Sequence, residues 1–446
     1  MNLATMLEQR QQEGRPVRVG LIGAGKFGSM FLAQLQRTPG MHLLGLADLS
    51  ADRAQAALER VGWPREHYAA HSMVAARRHG TTCVTEDTDA LIGTDDLDVL
   101  VEATGNPAAG IRHARAAFRQ GVDVVMVNVE ADALAGPLLA REAAAAGVVY
   151  SLAYGDQPAL ICEMVDWART IGFQVVAAGK GTKYLPAYHQ STPETVWSHY
   201  GLSPDEARAG GMNPQMFNSF LDGTKSGIEM AAVANAAGLT PPGDGLAFPP
   251  CGVDDLPHIL RPIDDGGGLP EKGVVEVVSS LERDGRPVFR DLRWGVYVVF
   301  EAPDDYVRRC FREYGLQTDS TGRYAALYKP YHLIGLELGI SVASVALRRE
   351  ATGLSTRWLG DVVATAKRDL AAGEVLDGEG GATVWGRLIP ARRSSKLGAL
   401  PIGLAHAMRL RRRIAAGEVV RWEDVDHDAS DAAIAFRRDM EAAFRA

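Results

Sequence analysis

Between Val17 and Arg37 the chain reads VRVGLIGAGKFGSMFLAQLQR. An apolar run of β type stops at Gly23-Ala24-Gly25-Lys26-Phe27-Gly28, and helical periodicity begins at once through Met30, Phe31 and Leu35. Three glycines spaced GxGxxG between a strand and a helix are the device by which a βαβ unit receives a pyrophosphate. Gly23 permits the tight turn, Gly25 lets the backbone approach the phosphates, and Gly28 lets the helix lie close on the strand. The first turn of the helix offers its free amides to the anion. Ala24, Lys26 and Phe27 share the loop and join the glycines as candidate cofactor contacts.

The segments after this helix extend the pattern. HLLGLA (His42 to Ala47) reads as a second strand and ends at Asp48, where an acid hydrogen-bonds a ribose hydroxyl and favours NAD. Arg53 lies near enough to meet a 2′-phosphate and favour NADP, so the sequence leaves both cofactors open. VLVEA, VDVVMV and VVYSLA then recur as short apolar strands separated by helical stretches. Such alternation predicts a doubly wound parallel sheet, a Rossmann domain over residues 14–155. Ligands of such sheets lie beyond the carboxyl ends of the strands. That singles out Thr104, Gly105 and Asn106 after VLVEA, Asn128 after VDVVMV, and Asp156 after VVYSLA. Asp156 reads equally well as a helix N-cap. The bland alternative for the whole domain is a Rossmann-like sheet without a cofactor.

Composition narrows the function classes. Lys+Arg 47 against Asp+Glu 55 gives a net charge of −8, with no general footprint for nucleic acid. The four cysteines stand far apart, without ligand or disulfide spacing, as in a reducing compartment. The first fifteen residues lack the apolar core of a secretory signal. LIGLELGISVASVAL (Leu333 to Leu347) is interrupted by Glu337 and is shorter than the ~20 residues a membrane span needs, so it reads as a buried helix. A cytoplasmic protein without nucleic-acid or membrane partners is expected, and symmetric association into a homo-oligomer is the default for such enzymes.

The middle of the chain, 156–352, reads as an α+β substrate domain. FQVVAA is a strand running into Gly179-Lys180-Gly181-Thr182-Lys183, read as a glycine-rich loop whose lysines polarise a carbonyl or meet a phosphate. Exposed loop lysines are the plain alternative. Further on, DGTKSGIEMAAVANAAGL reads as a helix on which Asp222, Lys225 and Glu229 share a face. That stripe suits acid–base work or a divalent cation, and equally a solvated face with ion pairs. Arg323, Lys329 and His332 form a basic cluster ahead of an apolar helix, a plausible phosphate site.

In the last part, 353–446, AAGEV occurs at Ala371–Val375 and again at Ala415–Val419. Each copy is read as a strand followed by a turn, and two copies suggest a small β-rich module with internal pseudo-symmetry, too few for a solenoid. Arg387 to Arg413 carries eight basic residues and no acid, without the aromatic interleaving that nucleic-acid binding uses.

GAGKFG, VLVEATGNP and DGTKSGIEMAAVANAAGL resemble the homoserine dehydrogenase group of NAD(P)-binding oxidoreductases. AGEVLDGEG and IAAGEVV look like a SAF, or β-clip, domain. The pairing, with FPPCGVDDLP and KGVVEVVSSLERDGRPVFRDLRWGVYVVFEAP, resembles the deoxyxylulose-5-phosphate reductoisomerase-like oxidoreductases over nearly the whole chain. The resemblance implies an α/β protein of three domains: Rossmann, α+β catalytic and SAF. It also implies NADPH-linked rearrangement and reduction of a phosphorylated ketose, assisted by a cation such as Mg²⁺ or Mn²⁺ that the sequence assigns to no residues. The sharpest expectation is conversion of 1-deoxy-D-xylulose 5-phosphate to 2-C-methyl-D-erythritol 4-phosphate, an isoprenoid precursor. One departure stands out. Homoserine dehydrogenases carry a lysine just after the Asn of the fifth-strand loop, and this chain has Asn128-Val129-Glu130. Asp156, Lys180, Asp222, Lys225 and Glu229 are the candidate catalytic groups. The alternatives are a dehydrogenase of a polyol, sugar acid or homoserine-like substrate without isomerisation, and a non-catalytic cofactor-sensing binding protein.

Overall fold

The structure, a computed structural model, describes residues 2–444. Two compact units divide the chain: one runs to Leu160 and adds His332–Thr356, and the other holds Ile161–Tyr331 and the remainder from Arg357.

The first unit is built on six parallel strands: β1 (Val17–Ile22), β2 (Met41–Ala47), β3 (Cys83–Thr85), β4 (Val99–Glu102), β5 (Asp123–Met126) and β6 (Tyr150–Leu152). Their order, β3-β2-β1-β4-β5-β6, is that of a dinucleotide-binding sheet, with the strand order reversing between β1 and β4. The near-continuous burial of these strands follows from helices covering both faces. The expected apolar helix is present as Gly339–Arg348. It seals this sheet, with Leu338, Val342, Ala343 and Val345 in one core with Val17, Leu21, Phe31 and Leu43. The short strand Cys83–Thr85 was not legible in the sequence. Among the described residues no helix is long and apolar enough to cross a membrane.

The second unit opens on a mixed sheet of β7 (Gln174–Thr182), β8 (Val274–Ser279), β9 (Val296–Glu301) and β10 (Tyr324–Lys329), ordered β10-β9-β7-β8. Here the expected glycine-rich loop is corrected: β7 continues through Gly179, Lys180 and Gly181. Those glycines are not turn residues. A Cβ at Gly179 would stand 1.8 Å from the Glu276 carbonyl oxygen, and one at Gly181 1.9 Å from that of Leu292. Small residues are required because neighbouring backbone closes on one face of the strand.

The DGTKSGIEM helix is corrected too. Pro214–Leu221 and Thr224–Ala237 are separate helices broken at Asp222-Gly223, where Gly223 takes φ +90°. The second is buried on nearly every side and packs against β8 and two strands of the terminal module. The solvated-face reading therefore fails for Asp222 and Glu229, both of which are buried.

The terminal module pairs β11 (Gly360–Ala366) with β13 (Val384–Pro390), and β12 (Val375–Asp377) with β14 (His406–Leu410) and β15 (Val425–Asp426). Each AAGEV copy is a turn that precedes its extended segment, the reverse of the expected order, with Gly373 and Gly417 at φ +85° and +78°. The copies meet about a pseudo-twofold. Leu370 and Ile414 exchange backbone hydrogen bonds of 2.9 and 3.0 Å, and Glu374 and Glu418 each accept from the alanine amide three residues earlier. The closing helix Ala432–Phe444 is fastened by Arg437, fully buried between Asp361 at 2.7 Å and Glu441 at 3.0 Å.

Candidate functional site

At the carboxyl edge of the parallel sheet the glycine loop adopts the geometry its spacing predicts. Gly23 sits at φ +104°, and a Cβ there would meet the Ala103 carbonyl oxygen at 2.5 Å. At Gly28 a Cβ would stand 2.3 Å from the Gly23 oxygen, so helix and turn touch through backbone. Around Gly25, which caps the Lys26–Leu35 helix, nothing lies within 4 Å of the same construction. That open space beside free helix-end amides is the cradle a pyrophosphate requires. Lys26 is exposed and Phe27 half-buried beside it.

Asp48, at the end of β2, accepts the Ala24 amide at 2.8 Å and pairs with Arg53 at 2.9 Å. Its side chain is 2% exposed and that of Arg53 64%. The acid thus holds the loop from inside, while the guanidinium faces solvent. Both remain where a cofactor's ribose and any 2′-phosphate are recognised in this fold.

Two further helix starts complete the edge. Asn106 caps Pro107–Arg119 through the Ala109 amide at 2.9 Å, and Asn128 caps Val129–Ala146 through the Ala131 amide at 3.1 Å. The Asn128 side-chain amide also donates to the Asn106 carbonyl at 2.8 Å, which fixes the Thr104-Gly105-Asn106 turn. Glu102 was missed by the sequence reading. It is fully buried, and one of its oxygens accepts the Thr104 hydroxyl at 2.6 Å and His113 Nδ1 at 3.1 Å. Its signal was present: a lone acid inside the apolar run VLVE needs a partner once it is buried. Glu130, in the departure from the homoserine dehydrogenase pattern, stands in the first turn of its helix, where a carboxylate complements the dipole. Asp156 accepts the Gln157 amide at 2.9 Å through its side chain, and its carbonyl receives the Leu160 amide, so it stands at the start of a helix.

The second unit gathers the other candidates into two buried ion pairs. Lys180, on β7, is paired with Glu229 from the Thr224–Ala237 helix, both side chains nearly inaccessible. Asp222 lies 2.7 Å from Lys367, a residue of the terminal module that the sequence reading did not single out. Burial pushes the Asp222 carboxyl above the ordinary aspartate range, and the Lys367 ammonium and Thr224 pull it back. The Lys367 ammonium also donates to the carbonyls of Ser191 at 2.7 Å and Gly381 at 2.6 Å. Lys225, half-buried, opens the first turn of the same helix. Lys183, expected beside Lys180, bonds the His199 carbonyl instead.

The basic segments are engaged locally. Arg323 is not a free phosphate ligand, since it is ion-paired with Glu301 and with Asp265 at 3.3 Å. In the basic stretch Arg387–Arg413 four of the eight basic residues are ion-paired, Arg393 with Asp244, Arg411 with Asp426, Arg412 with Glu418 and Asp424, and Arg413 with Asp369. The donors present decide the cation expectation. Asp222 and Glu229 are each held by a lysine, and among the described residues no three His, Cys, Asp or Glu side chains cluster to hold a metal. The residues do not fit Mg²⁺ or Mn²⁺.

Comparison with known proteins assigns the parts. The description "Homoserine dehydrogenase, NAD binding domain" matches residues 23–152, "Oxidoreductase DRL, catalytic domain" matches 155–338, and "SAF domain" matches 361–426. The chain matches these three domain descriptions in that order. No curated protein matches. Among solved structures, biliverdin reductase from Synechocystis with biliverdin and NADP⁺ is similar at 18% identity, covering 38% of this chain and 48% of that one, TM-score 0.27. Myo-inositol dehydrogenase from Lactobacillus casei with NAD(H) and myo-inositol is similar at 16%, covering 41% and 50%, TM-score 0.28. An oxidoreductase domain protein from Kribbella flavida is similar at 20%, covering 40% and 46%, TM-score 0.29. The chain spans half or less of the length of these structures.

Proposed function

We propose that the chain is an NAD(P)H-dependent reductase of a carbonyl on a small polar, phosphorylated substrate, with Lys180 as the group that charges and protonates the carbonyl oxygen. The observation that carries this reading is the Lys180–Glu229 pair, a lysine set between glycines in a buried strand and held by an acid from a buried helix. Adding a hydride to a carbonyl carbon puts negative charge on its oxygen, which then takes a proton to become the alcohol. When bound, NAD(P)H supplies the hydride. The protein must supply the positive charge and the proton, and an oriented ammonium does both. Glu229 holds the Lys180 side chain in one direction. Asp222, ion-paired with Lys367 and accepting the Thr224 amide, serves as scaffold for the start of the same helix and is left out of the proposed chemistry. Gly25, Asp48, Arg53, Thr104 and Asn106 are the residues that would receive the cofactor, with Asn128 and Glu102 as positioning residues for the Thr104 turn.

In its sharpest form the reaction is reductoisomerisation of 1-deoxy-D-xylulose 5-phosphate to 2-C-methyl-D-erythritol 4-phosphate, a reading supported by the DRL catalytic-domain match. The carbon-skeleton rearrangement is redox-neutral and the reduction follows it. Charge at the vicinal oxygens then comes from lysine and not from a carboxylate-held cation. That same lack of a carboxylate cluster favours a second reading, plain dehydrogenation of a polyol or sugar acid. The test is NADPH and NADH oxidation with deoxyxylulose phosphate in the presence and absence of a chelator, with product identification. Chelator-insensitive oxidation that disappears in Lys180→Met supports the proposal. Activity surviving in folded Lys180→Met removes Lys180 from the chemistry. Turnover of polyols or sugar acids but not of the ketose phosphate selects the second reading.

A further inference from the structure

The second unit contains a cavity of about 200 Å³ to which neither the matched domains nor the proposed chemistry gives a role. Its walls come from four stretches of the chain: His189, Gly223, the loop Asp244 to Phe248, and Trp385 to Leu388 on β13 of the terminal module.

The walls are set firmly. Trp385 stacks on the His189 ring, centroids 3.9 Å apart. His189 Nδ1 lies 2.7 Å from the Asp222 carbonyl, which can only accept, so Nδ1 donates and Nε2 accepts the Tyr184 hydroxyl at 2.9 Å. Burial lowers the His189 pKa and keeps the ring neutral in that arrangement. Phe248 stacks on Tyr184 at 4.0 Å while its backbone takes φ +51°. A bulky residue in the left-handed region is strained and persists only where its surroundings over-determine it. Here the Ala247 and Phe248 amides both donate to the buried Glu276 carboxylate.

The charge around the loop is unbalanced. Arg393 donates to the Gly243 carbonyl and pairs with the Asp244 carboxylate at 3.0 Å. Arg387 donates Nε at 3.1 Å, and Nη2, to the Asp244 carbonyl. Arg283 donates to the Ala247 carbonyl at 3.0 Å. Among the described residues neither Arg387 nor Arg283 has a carboxylate within ion-pair distance. Three guanidiniums therefore surround a loop that offers Asp244, exposed and already paired, and Glu276, buried and engaged by backbone amides. Arg387 is half-buried, and a partly desolvated cation bonded only to a carbonyl lacks the counter-charge such groups usually have.

We propose that this cavity binds a small organic anion, a phosphate or carboxylate on a short polyol chain, with Arg387 gripping the anionic group and Trp385, His189 and Phe248 packing on the carbon chain. The planar guanidinium matches both anions in geometry. The volume falls below the roughly 300–1,000 Å³ of clefts for larger ligands and restricts the occupant to a few carbons. The site needs both the catalytic segment and the terminal module, which gives the SAF-type domain a part in ligand recognition. The inference holds whichever carbonyl the enzyme reduces.

Calorimetric titration of the full-length protein with glycerol 3-phosphate, glycerate, inorganic phosphate and uncharged glycerol tests it. Anion binding without glycerol binding is expected, and Arg387→Ala should weaken it by roughly tenfold or more. The glycerol 3-phosphate and glycerate arms separate phosphate from carboxylate as the preferred group. Hydrogen exchange on the wild-type protein provides a measurement that needs no variant: glycerol 3-phosphate should slow exchange at 243–248 and 384–388. Failure of every anion to bind, unchanged affinity in folded Arg387→Ala, or protection confined to other segments would each overturn the proposal.

Discussion

Replacing Lys367 by methionine separates scaffold from chemistry in the second unit. Lys367 and Asp222 are 2.7 Å apart with side chains 2% and 0% exposed, so the substitution leaves a carboxylate buried without its counter-charge. Breaking such a pair from one side costs about 3–5 kcal/mol, because the desolvation penalty stays while the Coulomb gain is lost. Two hydrogen bonds to the Ser191 and Gly381 carbonyls go as well, at about 1 kcal/mol each. The two contributions differ in pH dependence. Burial raises the Asp222 pKa in the folded state, so folding favours the protonated form, and stability falls as pH climbs from the unfolded pKa toward the folded one. In the wild type Lys367 opposes this shift. In Lys367→Met the opposition is gone and the window widens upward, with stability falling by as much as about 1.4 kcal/mol per pH unit inside it. Urea midpoints across about pH 4 to 8 should show a deficit smallest at the acid end, where it falls toward the roughly 2 kcal/mol of the two lost hydrogen bonds, and largest near neutrality. Asp222→Asn in the Lys367→Met background should recover most of the neutral-pH loss. A deficit independent of pH, or one under about 1 kcal/mol at neutrality, would refute the reasoning.

Four other outcomes are expected. Gly25→Val should leave thermal stability close to wild type, since no atom stands in its way, yet raise the KM for NAD(P)H at least tenfold. Gly28→Val should lower both stability and binding, because its Cβ meets the Gly23 oxygen; equal effects in thermal melts and kinetics would sink the cradle assignment. Arg53→Ala should raise the KM for NADPH while sparing NADH, and equal changes for both cofactors would show that Arg53 serves only to balance Asp48. Glu276, whose pKa burial pushes up to about 7, should make the wild-type protein lose stability as pH rises from the ordinary glutamate range through about 7, by a total on the order of 3 kcal/mol. Denaturant midpoints of Glu276→Gln should lack that slope, and persistence of the slope would place its origin elsewhere.

Legibility differs between the halves for a physical reason. The parallel sheet announces itself locally: GAGKFG encodes a turn, an approach and a contact within six residues, and each apolar strand is followed by its own helix. In the second unit the decisive partners are remote. Gly179 and Gly181 read as loop residues because glycine most often marks turns, whereas here they admit the Glu276 and Leu292 carbonyls against the strand. With the strand interrupted on paper, Lys180 falls on a loop and loses its partner Glu229. Likewise Asp222 falls on a helical stripe because periodicity carries no sign of the break at Gly223, and Lys367 approaches it from the other end of the unit. Periodicity reports which face of an element is apolar, but a buried charge is decided by a partner the pattern cannot see. A single rule narrows the search: an ionisable residue inside an otherwise buried run requires an opposite charge or several donors. Applied to the sequence, it flags Glu102 in VLVE, Lys180 in VVAAGKG and Glu276 in VVEVV. The structure answers each differently, with His113 and Thr104, with Glu229, and with three backbone amides. Of these, only the lysine carries a mobile proton and a positive charge at once, which is why the proposed chemistry rests on it.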